Sequence, residues 1–117
     1  KKLYQMAVEH INHNSRLIKN GTSFKEFTEK SWKIPEEYYG NRYSCMVHGI
    51  GLCDEWPMIR YPNDGGQRDG YFEKNMTITV ETYIGKVGGK EGVKLEQQYL
   101  VAENNLELMS HHPLEDI

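Results

Sequence analysis

Two runs of strand-forming residues, Met76 to Ile84 and Val93 to Val101, flank a connection that carries Gly85, Gly88, Gly89 and Gly92. Both runs alternate in the manner of strands with one buried face, and the glycines supply the conformations a tight turn needs. The spacing predicts an antiparallel hairpin centred on Gly88-Gly89. Glu81 lies seven residues before Gly88, and Glu96 lies seven residues after Gly89. That register sets the two carboxylates opposite each other on one face, where cross-strand Cβ atoms are about 4.5–5.5 Å apart. Like charges so placed destabilise a sheet or force a raised pKa on one member. A divalent cation between them removes the conflict. Glu81 also sits within Ile78-Thr79-Val80-Glu81-Thr82-Tyr83-Ile84, whose composition suits a mostly buried strand, and a lone buried carboxylate is costly unless paired or metal-bound. The competing reading turns Thr77, Thr79, Glu81 and Tyr83 outward as a solvated face.

Upstream of Pro35 the pattern is helical. Leu3, Met6, Ala7, His10, Ile11, Asn14, Leu17 and Ile18 follow the three-four spacing of one helix face, and Asn20-Gly21 reads as its stop. Ser23 with Glu26 forms a capping-box signature for a second helix through about Trp32, with Phe24, Phe27 and Trp32 as its buried side. After Pro35 come an aromatic-rich approach (residues 36–47), the stretch His48-Gly49-Ile50-Gly51-Leu52, a turn-rich loop (60–75), and the two strands. The fold class is therefore α+β, helices packed on an antiparallel sheet.

His48 lies between Met46-Val47 and a glycine stretch that lets a side chain be aimed at a cavity. It is the natural third ligand beside Glu81 and Glu96. Mixed imidazole and carboxylate ligation suits iron, manganese, zinc or cobalt without choosing among them. Among 117 residues, 14 Lys and Arg against 17 Asp and Glu give a formal charge of −3, so no basic footprint suits nucleic acid. No apolar stretch is long enough to span a bilayer. Cys45 and Cys53 form no CxxC pair and read as reduced thiols of a cytoplasmic protein. The chain starts at Lys1-Lys2-Leu3, already inside a helical pattern, and reads as a piece of a longer protein.

Three ordered motifs carry a resemblance: His48-Gly49-Ile50-Gly51-Leu52, Met76-Thr77-Ile78-Thr79-Val80-Glu81 and Gly92-Val93-Lys94-Leu95-Glu96. Over about residues 24–110 the sequence resembles the pita-bread metallohydrolases, a family that includes methionine aminopeptidase, Xaa-Pro aminopeptidase, prolidase and the metal-free creatinase. The resemblance implies metal ligation by His48, Glu81 and Glu96. It also implies that residues 1–117 are the C-terminal part of a pita-bread catalytic domain with a curved antiparallel sheet. Two departures stand out. The family takes further ligands from aspartates upstream of its His motif, whereas Asp54, Asp64, Asp69 and Asp116 all follow His48. Its peptidases also carry a second His shortly after the glycine stretch, where this chain reads Cys53-Asp54-Glu55-Trp56-Pro57.

The stretches Tyr43-Ser44-Cys45-Met46-Val47-His48-Gly49, Asp54-Glu55-Trp56-Pro57 and Val87 to Glu96 look like a closer branch, the metal-dependent dimethylsulfoniopropionate lyases of marine bacteria. That likeness implies cleavage of a small zwitterion to dimethyl sulfide and acrylate, with Asp54 as base and Tyr43 helping to hold the substrate. It puts iron first as the metal, with zinc, manganese, cobalt or nickel as alternatives, and implies a homodimer in the full-length protein. A sulfonium is best held by aromatic faces, for which Tyr43 and Trp56 are the candidates. Lys94 falls where the family is often basic, in support of Glu96. Each residue also has a plainer use. Asp54 would cap the turn before Pro57, Trp56 would be core, and His111-His112 would be loop. Two other functions compete: an Xaa-Pro aminopeptidase or prolidase activity of the same fold, and a non-catalytic binding module.

Overall fold

The computed structural model of the chain describes residues 1–50, 56–65 and 69–109. Three helices come first: α1 (Lys2–Arg16), α2 (Phe24–Lys30) and the single turn α3 (Glu36–Tyr39). Five strands follow: β1 (Val47–Gly49), β2 (Met58–Ile59), β3 (Thr77–Gly85), β4 (Gly92–Val101) and β5 (Leu106–Leu108). They form one sheet in the order β2-β1-β3-β4-β5, antiparallel at every step.

The hairpin has the register its glycines dictate. Gly85 pairs with Gly92, and every pair inward follows, Glu81 opposite Glu96 included. Its turn closes with Gly89 N–H donating to the Lys86 carbonyl at 2.8 Å. Gly88, third in that turn, takes φ +75°, a conformation open to glycine without strain.

Alternation then divides the sheet into two faces. Ile78, Val80, Thr82 and Ile84 of β3 share one face with Gln97, Tyr99 and Val101 of β4, and all are buried. Helix α1 lies on β3 and β4 and buries Ala7, His10, Ile11 and Asn14. Helix α2 supplies Phe24 and Phe27, which meet Phe72 edge-on at 5.1 and 5.7 Å. The opposite face carries Thr79, Glu81 and Tyr83 of β3 beside Lys94, Glu96 and Gln98 of β4.

The helix boundaries differ modestly from the periodicity. Helix α1 stops at Arg16, where Leu17 and Ile18 bond back three residues, to Asn14 and Ser15, and close the last turn. Ser23 caps α2 by accepting from Glu26 N–H, as its spacing predicts, and α2 ends at Lys30, short of Trp32. Trp32 packs partly buried against the core. The turn α3 and strands β1, β2 and β5 carry no periodic signal, because two to four residues are too few to express one. The three strands form along edges offered by the long hairpin and by one another.

The buried residues include polar ones, His10 among them. His10 is fully buried, its Nδ1 paired with Thr82 Oγ1 and its ring stacked on Trp32 at 4.8 Å. Its Nε2 is buried without a hydrogen-bond partner. Burial, helped by the nearby His13, lowers the His10 pKa from 6.5 to about 4. The folded state thus resists a proton that the unfolded chain accepts. This contribution is intact above pH 6.5 and is lost as pH falls toward 4, by about 3 kcal/mol in all. Urea melts across that range are expected to show the loss in the wild type and a much weaker pH slope in His10→Gln, which keeps a partner for Thr82.

Candidate metal centre

The polar face of the hairpin brings Glu81 and Glu96 together, and β1 brings His48 to them. Strand β1 pairs with β3 so that His48 stands opposite Thr79, one step along the same face from Glu81. His48 Nε2 lies 2.9 Å from Glu81 Oε1, while Nδ1 lies 2.9 Å from the Gly49 carbonyl oxygen. A carbonyl only accepts, so Nδ1 donates to it, and Nε2 is directed at the Glu81 carboxylate, to which it donates when it too carries a proton. Glycine at position 49 is a steric requirement. A Cβ there would fall 1.9 Å from the Trp56 carbonyl oxygen, on the backbone whose Pro57 carbonyl accepts from Gly49 N–H. Gly49→Ala is therefore expected to cost about 2–3 kcal/mol, read as a lowered midpoint in chemical denaturation.

Glu81 is 3% exposed, whereas Glu96 is open to solvent. Burial works to raise the Glu81 pKa, but its contacts with Glu96 and His48 outweigh that and hold this carboxyl below its ordinary value. Glu96 moves the other way, raised first by its contact with Glu81 and then by burial. Two carboxyls meet favourably only through a proton or a cation. Glu81 Oε2 is buried with no hydrogen-bond partner, which leaves a donor atom to spare. One imidazole nitrogen and two carboxylates match in kind the donor set of a divalent first-row metal. Among the described residues, however, no three His, Cys, Asp or Glu side chains close into a complete ligand group. The three groups form a chain, His48 to Glu81 to Glu96.

Around this chain the expected residues separate. Tyr43 is brought close: its ring carries the Lys94 ammonium 4.4 Å from the centroid. Desolvation lowers the Lys94 pKa, and the pull of Glu81 with the Tyr43 hydrogen bond more than restores it, so the ammonium is held above its ordinary value. Trp56, 38% exposed, packs edge-on against Phe24 at 5.5 Å. Asp54, Cys53 and the pair His111-His112 lie outside the described residues. Cys45 is buried. Asp64 is committed to an ion pair with Arg42, whose guanidinium also covers the Tyr39 ring at 4.0 Å. The Arg42–Asp64 pair joins residues on either side of β1 and β2 and had no sequence signal. The Lys94 position on the Glu96 face follows from alternation, but its Tyr43 seat does not.

The profile of metallopeptidase family M24 matches residues 1–103. The chain belongs to this family. Over 113 residues, 95% of its length, it is 38% identical to the dimethylsulfoniopropionate lyase DddP of Roseovarius nubinhibens and 35% identical to that of Roseobacter denitrificans. It spans a quarter of the length of these M24 relatives. Among solved structures it superposes on the Xaa-Pro dipeptidase from Bacillus anthracis with a TM-score of 0.73 at 26% identity, covering 99% of this chain and 32% of that one. The sheet and helices are thus part of the pita-bread fold of M24. The family is one of enzymes, generally dependent on divalent metal. No helix among the described residues is long and apolar enough to cross a membrane.

Proposed function

We propose that the protein containing this chain is a metal-dependent carbon–sulfur lyase that converts dimethylsulfoniopropionate to dimethyl sulfide and acrylate. The observation that carries this reading is the 38% identity to a dimethylsulfoniopropionate lyase over 95% of the chain. The donor set of His48, Glu81 and Glu96 supports it by suiting the metal that such chemistry uses. Those three residues would hold the metal, iron first among the candidates. The aspartates that the family places upstream of its His motif would complete the set from outside residues 1–117, the C-terminal part of the catalytic domain.

When bound, the metal supplies Lewis acidity toward the substrate carboxylate, which acidifies the adjacent C–H. Asp54 removes that proton as general base. The electron pair left on carbon forms the new double bond, the C–S bond breaks with its electrons going to sulfur, and dimethyl sulfide leaves uncharged. Tyr43 and Trp56 help to hold the zwitterion. A homodimer in the cytoplasm completes the proposal.

Structural likeness to a proline-directed peptidase favours a second reading, an Xaa-Pro aminopeptidase or prolidase activity. Asp54 argues against it, because in the resemblance a peptidase carries His at that point. The two are separated by incubating metal-loaded full-length protein with each substrate, with dimethyl sulfide measured by gas chromatography and proline by ninhydrin. Dimethyl sulfide is expected. Proline release without it reverses the assignment.

A further inference from the structure

A zwitterionic substrate must be oriented as well as bound, and the polar face of the hairpin holds a group suited to that task. Lys94 and Glu96 are two apart on β4 and share a face, and Lys94 pairs across the hairpin with Tyr83, two residues from Glu81. The Lys94 ammonium therefore stands diagonally beside the buried Glu81 carboxylate. It is seated on the Tyr43 ring, 4.4 Å from the centroid. An aromatic face attracts one cation at a time, since a second would meet the charge of the first. On the side where Lys94 stands, the Tyr43 ring face is already engaged by an ammonium from the same chain. The other aromatic candidate, Trp56, is packed edge-on against Phe24.

We propose that Lys94 sets the charge polarity of this site: its ammonium holds the Tyr43 ring face against cationic ligands and turns this side of the site toward an anionic group. Lys94 would then pair with the carboxylate end of the substrate, Tyr43 would contribute through its hydroxyl, and the sulfonium would lie away from the Lys94–Tyr43 pair. The inference rests on the proposed reading of this face as a substrate site, yet its test requires no turnover.

Propionate and tetramethylammonium serve as probes of the two substrate ends. Their affinities for full-length protein are measured by NMR titration, with and without added metal. Wild type is expected to bind propionate in preference to tetramethylammonium. Lys94→Met, a change at an exposed position, is expected to weaken propionate about tenfold and to strengthen tetramethylammonium by a similar factor as the ring face opens. Lys94→Arg, which keeps a cation on the ring, should retain the wild-type order. Unchanged affinities in Lys94→Met overturn the proposal, as does a Lys94→Arg protein that behaves like the Met variant. Dimethyl sulfide release is scored separately. If release is absent and the affinities still reverse, the reaction assignment falls and the role of Lys94 remains. If release is present and the affinities do not move, the opposite holds.

Discussion

Asp54→Ala in the full-length protein is expected to lower the rate of dimethyl sulfide release by about 10³-fold while metal content is unchanged. A positioned general base contributes on the order of 10²–10⁴ to a proton abstraction, and alanine has no group to accept the proton. Asp54 is assigned to proton transfer and not to ligation, so its loss should leave His48, Glu81 and Glu96 as they were. Metal stoichiometry by plasma mass spectrometry and release kinetics by gas chromatography, on one preparation, give both halves of the expectation. Near-normal release from Asp54→Ala shows that the base is another residue. Loss of metal along with activity shows that Asp54 belongs to the ligand set.

Glu81→Ala is expected to abolish metal retention. Glu81 is the middle of the chain of donors: it touches His48 on one side and Glu96 on the other, and it is the buried member. Removing it takes away a donor and also separates the two that remain. Loss of groups that merely orient ligands weakens metal binding about 10–100-fold, and loss of this carboxylate should exceed that, on the order of 10³-fold. The fold should survive, because relief of the like-charge contact with Glu96 offsets the loss of the His48 partner. Isothermal titration with a divalent metal, alongside circular dichroism, reads both. Retained affinity in a folded Glu81→Ala protein would remove the metal centre from this face, leaving Glu81 as a buried partner of His48 and Glu96.

Much of this site was legible in the chain because the hairpin is a local object. Its turn residues lie between its strands, and once the glycines fix the midpoint every pair follows, so the contact of Glu81 with Glu96 needed only counting. The Ser23 cap of α2 was legible for the same reason, its donor lying three residues on. The short strands were not, since β1 and β2 exist only where longer partners offer them an edge. The Trp32 segment likewise leaves its helix early, and its backbone N–H is met by Asn14 from α1.

Sequence alone determined the hairpin, its register, the facing pair of carboxylates and the helical face of α1, because each depends on neighbours a few residues away or on strict alternation. Tertiary structure decided which carboxylate is buried, how His48 reaches Glu81, and that Lys94 sits on Tyr43. Those contacts join segments about 30 to 50 residues apart, and closing such loops is favourable only when the burial and pairing of the whole sheet offset the chain entropy lost.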